Sequence, residues 1–238
     1  MALTAFATAA LVNAWGRCGT RPFRCGNELV CNDNDLVCGT VREGMIMRKA
    51  SHKIDPIFLE RYSGYALSSE PLSQEQIEAL FTAASWAPSS YNIQPWRFIY
   101  ATKGTQAWDK MIDTMVDFNK SWAHNAPLLI LIVSQKTIPW NNEPAPTHSF
   151  DAGAAWACLA LQAARMGLTA HGMVGFDFDK ARTLFAVPDD FSVEAMVAVG
   201  KPGSIEDLPE SLQERARNVA NSERKPLSEF VFNGSFGK

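Results

Sequence analysis

The stretch from residue 87 to residue 96 reads Ala-Pro-Ser-Ser-Tyr-Asn-Ile-Gln-Pro-Trp, a dense mixture of prolines, hydroxyls, amides and aromatic rings. Before it, Ser73 and Gln76 fit a capping box, and apolar residues at helical spacing predict an amphipathic helix over residues 74–86 that ends before Pro88. After it, residues 97–102 predict a short strand. Such a loop can present amides to the polar edge of a heterocycle and an aromatic wall to its face.

Predicted helices and strands alternate over the rest of the chain. Residues 128–134 form a continuous apolar run that predicts a buried strand. Residues 152–166 are apolar nearly all round and predict a central, buried helix. Further helices are predicted at 106–119, 179–185 and 206–220, and further strands at 169–174 and 194–199. This order indicates a mixed α/β or α+β fold in which helices cover a sheet.

Composition excludes several classes of protein. The 238 residues carry 22 basic and 25 acidic side chains, a net charge of −3, so no basic field indicates a nucleic-acid partner. No apolar run reaches the roughly 18 residues that a membrane-spanning helix needs. Hydrophobic residues make up 47% of the chain, which is enough for a real core. We therefore expect a soluble, cytoplasmic protein.

Residues 1–47 differ from the remainder, and the pattern of their cysteines leaves several interpretations open. The region could be a secretory signal, a zinc site, a disulfide-linked segment, or a poorly ordered leader or upstream extension. No basic residues precede the apolar start, and the cysteines lack the close pairs typical of zinc sites. We favour the poorly ordered leader or upstream extension, followed by one domain over residues 48–238. The cysteines concerned are Cys18, Cys25, Cys31 and Cys38.

The chain offers no obvious reactive group of its own. It lacks the standard glycine-rich nucleotide loops, the zinc-protease motif and the nucleophile elbow, and its four histidines are scattered, so we expect no protein-held metal. We therefore expect that a bound cofactor supplies the reactive group. Arg61 and Ser63 can grip a phosphate, although such a pair is also typical of a solvated loop. The segment from Gly172 to Gly175 lets backbone approach a ligand closely, or simply turns at the end of a strand.

These segments, with Arg224 before the C-terminal end, resemble in their order the nitroreductase family of FMN-dependent, NAD(P)H-using oxidoreductases. The resemblance extends over about residues 54–232, and its most specific part is residues 87–96, called the hallmark loop below. It implies a three-layer α+β fold with a central, mostly antiparallel sheet and helices on both faces. It also implies a flavoprotein that is a homodimer, with the flavin at the subunit interface.

The resemblance assigns the candidate cofactor-binding residues. Arg61, Ser63 and Arg224 would hold the FMN phosphate and ribityl chain. The backbone N–H near Val174 or Gly175 would meet flavin N5. No side chain is assigned as a catalytic residue, because the flavin carries the chemistry. The residues expected to complete the site are Tyr62, Tyr65, Pro88, Ser89, Ser90, Asn92 and Gln94.

The resemblance further implies a ping-pong reaction in which NAD(P)H reduces the flavin and a small-molecule oxidant, such as a nitroaromatic or a quinone, then takes the electrons. Alternatives are an FMN-storing or FMN-sensing protein without turnover, and a flavin-dependent dehalogenase or dehydrogenase of a specific metabolite. Tyr65 departs from the family, which often has basic residues in this neighbourhood. A tyrosine donates only a neutral hydrogen bond, so the flavin potential should be lowered if no other cation replaces that charge.

Overall fold

The computed structural model describes residues 48–219 and 222–237, so our interpretation of residues 1–47 and their cysteines lies outside the described residues. The strands are β1 (Trp96–Thr102), β2 (Leu128–Gln135), β3 (Thr169–Met173) and β4 (Phe191–Gly200). The α-helices are α1 (Ile57–Glu60), α2 (Gln74–Ser85), α3 (Gln106–Thr114), α4 (Asp117–Ala123), α5 (His148–Arg165), α6 (Phe178–Leu184) and α7 (Glu210–Val219). Short 3₁₀ helices cover Ser90–Asn92, Ile205–Asp207 and Leu227–Glu229.

The four strands form one antiparallel sheet in the order β1-β2-β4-β3. Strand β2 lies inside the sheet and is buried along nearly its whole length, as its apolar run predicts. Alternate residues of β2 point to opposite faces, so Ile130 packs towards one core and Leu131 towards the other. Strand β1 begins at Trp96, which pairs with Ser134 of β2. This pairing fixes the position of the end of the hallmark loop relative to the sheet.

Helices cover both faces of the sheet. Helices α2 and α5 pack on one face, where Leu80 and Leu159 are fully buried. Helices α3, α4, α6 and α7 contribute to the core on the other face, where Met111 and Trp122 are fully buried. These three layers confirm the predicted α+β architecture. None of the helices in the described part of the chain combines the length and the apolar character needed to cross a membrane.

Local signals position α2 as predicted. The Ser73 hydroxyl accepts a hydrogen bond from the Gln76 backbone N–H at 3.1 Å, and the Gln76 side-chain oxygen accepts one from the Ser73 N–H at 2.9 Å. The reciprocal pair satisfies two backbone donors that the first helical turn leaves without partners. The helix ends at Ser85, ahead of Pro88, and so delivers the hallmark loop at the edge of the sheet.

Two sequence predictions are wrong in detail. The single helix predicted over residues 106–119 is interrupted at Met115, which is extended because it pairs with Phe176, while the Val116 N–H donates to the Gly175 carbonyl at 3.0 Å. Helix α5 is not buried all round, because Gly153 and Ala157 lie on an exposed face. Its apolar character therefore serves a core on one side and an open surface on the other.

Candidate functional site

The loop after α1 forms one wall of a cavity of about 380 Å³. Arg61 leaves α1 with an extended backbone, and this directs the Arg61 and Ser63 side chains into the same space. Across from them lies the exposed face of α5, which is apolar. The cavity thus offers a guanidinium and a hydroxyl beside an apolar helix, and its volume is typical of small-molecule sites. The other lining residues are Phe58, Trp156, Ala157, Ala160, Leu161 and Gly172.

The structure brings Arg61 and Arg224 within electrostatic reach of one another, although they lie near opposite ends of the domain. Burial of the Arg61 guanidinium lowers its pKa, and the positive charge of Arg224 lowers the pKa further. Both causes disfavour the charged form of Arg61. The opposite charge of an anion bound between the two side chains would offset both effects, so the pair can accommodate a multiply charged anion.

The segment from Gly172 to Gly175 continues the same wall beyond β3. The Gly175 carbonyl accepts hydrogen bonds from the Val116 N–H at 3.0 Å and from the Asn119 side-chain amide at 2.9 Å. A Cβ at position 175 would lie 2.6 Å from that amide nitrogen, so any other residue would force the Asn119 side chain to shift. Val174, which lies between the end of β3 and Gly175, is 66% exposed. The segment therefore leaves the cavity wall at Gly172 and is held at Gly175, with an exposed residue between them.

The hallmark loop holds three non-glycine residues in the left-handed region, with φ of 49° at Tyr91, 55° at Asn92 and 48° at Gln94. Such conformations cost on the order of 1 kcal/mol or more each and persist only where surrounding contacts impose them. The Gln94 N–H donates to the Ser89 hydroxyl at 3.1 Å, and Arg97 of β1 donates to the Gln94 carbonyl at 2.9 Å. Strain of this kind is typical of functional loops.

Asp151 anchors the other end of the hallmark loop and was not among our predicted site residues. Its carboxylate accepts the Ser90 N–H at 3.1 Å and the Thr147 hydroxyl at 3.2 Å, and the residue is only 3% exposed. It lies in the first turn of α5, where the helix dipole favours a negative charge. The signal in the sequence was an isolated acidic residue in an otherwise apolar helix.

The hallmark loop and the cavity occupy different positions along α5. Pro88, Asn92 and Gln94 are exposed, Ser89 and Ser90 are half-buried, and none of them lines the cavity. Cavity-lining residues of α5 begin at Trp156 and end at Leu161, five to ten residues after Asp151. At 1.5 Å per residue the separation along the helix axis is about 8–15 Å. Within one chain, the structure does not bring the hallmark loop and Arg61 into one cavity.

The sequence profile of the Nitroreductase family matches residues 59–118 and 101–201. The chain belongs to the nitroreductase family. Among solved structures, an oxidoreductase containing FMN is 41% identical, with a TM-score of 0.75, and the match covers 79% of this chain and 96% of that one.

Two bacterial relatives also match. A Mycolicibacterium smegmatis protein of 15.4 kDa, uncharacterized, is 34% identical over 148 residues, which cover 59% of this chain and 97% of the relative. A Streptomyces coelicolor protein, provisionally named as an NADH dehydrogenase/NAD(P)H nitroreductase, is 27% identical over 176 residues, which cover 66% of this chain and 89% of that protein. The residues that the family profile matches contain the segment from Arg61 to Ser63, called the first motif below, together with the hallmark loop and the Gly172 segment.

Tyr65 occupies the position at which this chain departs from the basic pattern expected from the family resemblance. The residue is only 6% exposed, packs edge-on against Phe118 and Trp122, and does not line the cavity. The guanidinium carbon of Arg215 lies 5.5 Å from the centre of the Tyr65 ring. A cation that the local sequence pattern does not indicate therefore lies close to this position. The lowered flavin potential stays a prediction.

His171 connects the first motif to β3. Its Nδ1 lies 3.1 Å from the Gly64 carbonyl, and its ring lies 4.5 Å from that of Trp122, centre to centre. Burial lowers the pKa of His171; the Gly64 carbonyl opposes this shift and the charge of Arg215 adds to it. A neutral imidazole whose Nδ1–H donates to the carbonyl satisfies this geometry. The contact keeps the Arg61 loop beside the strand that leads to Gly172.

Proposed function

We propose that this chain binds FMN and uses it to transfer electrons from NAD(P)H to a small oxidant such as a nitroaromatic or a quinone. The observation that carries the proposal is the placement of Arg61, Ser63 and Gly172 on one cavity, with Arg224 in electrostatic reach. These residues come from three separate segments of the family resemblance: Arg61 with Ser63, Gly172, and Arg224. Their convergence in space is independent of the order in which they occur in the sequence.

The residues present fit a flavin nucleotide. Two guanidinium groups and a hydroxyl match the charge and the acceptor oxygens of a phosphate dianion. The surroundings of Arg61 support this assignment, because a bound anion would offset the burial and the repulsion by Arg224 that lower its pKa. The apolar face of α5, with Trp156 among the lining residues, suits the hydrophobic part of the cofactor.

When bound, FMN would supply the ability to accept a hydride and pass electrons on, which the side chains of this protein lack. The chain would contribute position and electrostatics. Arg61, Ser63 and Arg224 would hold the phosphate end. The backbone at Val174 and Gly175, fixed by Asn119, would present its N–H groups at the other end of the site. Reduction and oxidation at the same place would give ping-pong kinetics.

A second copy of the chain would complete the site. The hallmark loop does not line the cavity of its own chain, so its hydroxyl and amide groups are available to the cavity of a partner. The exposed face of α5 carries the small residues Gly153 and Ala157, which permit close approach of another helix. Exposed Phe58, Trp86 and Phe150 extend the apolar surface. These features support a homodimer with the flavin at its interface.

An absorbance spectrum of the purified protein tests the cofactor. We expect flavin bands that bleach on addition of NADPH or NADH and return with a quinone or a nitroaromatic. Arg61→Ala should purify with much less flavin. Arg165→Ala is the matched control, because this arginine is exposed, pairs with Asp55 and does not line the cavity. Full flavin retention by Arg61→Ala would remove the phosphate assignment.

Turnover distinguishes a reductase from a protein that only stores or senses FMN. Steady consumption of NAD(P)H in the presence of a quinone or a nitroaromatic is the expected result, with parallel lines in double-reciprocal plots as the mark of a ping-pong reaction. A protein that holds flavin but shows no bleaching and no turnover with either nicotinamide would favour storage.

Substitution at Gly153 tests the homodimer. A side chain here meets no atom within 4 Å of its Cβ in the single chain, so Gly153→Glu should fold. The charge should nevertheless prevent close helix packing, yielding a monomer by sedimentation with a reduced flavin content. Gly153→Ala is the control and should remain dimeric. A Gly153→Glu protein that is still dimeric would place the interface elsewhere.

A further inference from the structure

Arg48 joins two segments that are far apart in the chain, and it lies before the residues that the family profile matches. Its Nη1 donates to the carbonyl of Arg61 at 2.7 Å, and its Nη2 donates to the carbonyl of Val219, the last residue of α7, at 3.2 Å. These partners are 13 and 171 residues away in the sequence. One guanidinium thus bridges the first motif and the C-terminal segment.

The bridge extends to the segment that carries Arg224. The Nη2 of Arg48 also lies 3.5 Å from the Ser222 hydroxyl. Nη1 of Arg224 contacts the same Ser222 at its carbonyl and its hydroxyl, each at 3.2 Å. Arg48 therefore contacts the backbone of Arg61 on one side and, on the other, the same serine that Arg224 contacts.

The bridge also adds a positive charge to this region. Burial lowers the pKa of Arg48, and the charges of Arg224 and Arg61 lower it further, whereas Tyr62 raises it. The guanidinium carbon of Arg48 lies 5.8 Å from the centre of the Tyr62 ring, a cation–π distance that partly offsets this repulsion. Three like charges gathered in one region are unfavourable alone and become favourable around a phosphate that carries nearly two negative charges.

We propose that Arg48 is a positioning residue of the cofactor phosphate site, which holds the segments of Arg61 and Arg224 together and adds a third positive charge to them. This inference rests on the proposed function, because the phosphate concerned is that of FMN. It predicts that Arg48 contributes to the affinity for the phosphorylated flavin and little to that for the flavin ring.

Titration of FMN and of riboflavin, which lacks the phosphate, tests the proposal on the full-length chain freed of bound flavin. Affinities would be measured by flavin fluorescence for the unaltered protein, Arg48→Gln, Arg48→Lys and Lys49→Gln. Lys49 is the matched control, because it is the exposed neighbour of Arg48 and its replacement removes the same charge. Arg48→Gln should weaken FMN binding by about tenfold or more, the loss expected for charge-assisted contacts.

Riboflavin binding should change much less in Arg48→Gln, and Lys49→Gln should leave both affinities close to those of the unaltered protein. Arg48→Lys retains the charge but lacks the planar guanidinium that reaches two carbonyls. Its FMN affinity should therefore lie between that of the unaltered protein and that of Arg48→Gln. Far-UV circular dichroism checks folding. If Arg48→Gln does not fold, the lysine variant decides, and weakened FMN binding by that variant supports the proposal.

Three results would overturn the role of Arg48. These are unchanged FMN affinity in Arg48→Gln, equal weakening of FMN and riboflavin, and an equal effect of Lys49→Gln. If the unaltered protein binds FMN while Arg48→Gln behaves like it, only this inference falls and the proposed function stands. If the unaltered protein binds neither flavin, the proposed function and this inference fall together.

Discussion

Replacement of Asp151 by alanine should release the hallmark loop from α5. The carboxylate is buried and accepts the Ser90 N–H at 3.1 Å and the Thr147 hydroxyl at 3.2 Å, so the alanine variant leaves both donors without this acceptor. Hydrogen bonds to a charged group contribute about 1.5–3 kcal/mol each. Both distances are long, so the lower value applies to each, and the free energy of unfolding should fall by about 3 kcal/mol.

The loss should be visible in both thermal and urea unfolding. For a domain of this size a destabilisation of about 3 kcal/mol lowers Tm by about 6–12 °C. Asp151→Asn keeps the shape and one acceptor oxygen but loses the charge, so about half of the destabilisation is expected. The hallmark loop, relieved of its anchor, should also relax from the left-handed conformations at Tyr91 and Asn92.

Asp117→Ala is the matched control. Asp117 also lies in the first turn of a helix, α4, but its side chain is fully exposed and only 3.9 Å from Lys120 in a surface pair. Its replacement should leave the urea midpoint almost unchanged. If Asp151→Ala unfolds at the same urea concentration as Asp117→Ala, the carboxylate does not anchor the loop, and the reasoning from burial and hydrogen bonding is wrong.

Three other perturbations follow from single contacts. Burial keeps the pKa of His171 below that of an unfolded histidine, so the unfolded chain binds the proton first as the pH falls. The urea midpoint of unfolding should therefore decrease between pH 7 and pH 5. His171→Phe should show a smaller decrease. Gly175→Ala places a Cβ 2.6 Å from the Asn119 amide nitrogen. Urea titrations should show that it lowers the free energy of unfolding by about 1–3 kcal/mol. An unchanged urea midpoint would mean that the Asn119 side chain shifts to admit the methyl group at no cost. Ser73→Ala removes the acceptor for the Gln76 N–H and should lower the free energy of unfolding by about 1 kcal/mol. A thermal midpoint equal to that of the unaltered protein would contradict the role of the capping box.

Features that depend on neighbouring residues could be predicted from the sequence. The start of α2 follows from Ser73 and Gln76, whose side chains and backbone groups satisfy one another within three residues. The burial of β2 follows from its uninterrupted apolar run between residues 128 and 134. The order of the first motif, the hallmark loop and the Gly172 segment was enough to identify the family, because each motif is short and contiguous.

Features that depend on contacts between distant segments could not be predicted. The helix predicted over residues 106–119 has no local reason to break at Met115, and its interruption comes from pairing with Phe176. Arg215 reaches the ring of Tyr65 only because α7 packs beside the first motif. A residue's local pattern carries no record of which remote backbone or charge will lie against it.

The sequence by itself determined which residues have groups that can bind an anion, since guanidinium and hydroxyl groups keep that capacity wherever they lie. Only the tertiary structure decided how they are grouped. It placed Arg61 with Gly172 on a cavity, held the hallmark loop some distance along α5, and brought Arg48 between the first motif and α7. The physical reason is that hydrogen bonding and charge act over a few ångströms in space, whereas sequence patterns act over a few residues along the chain.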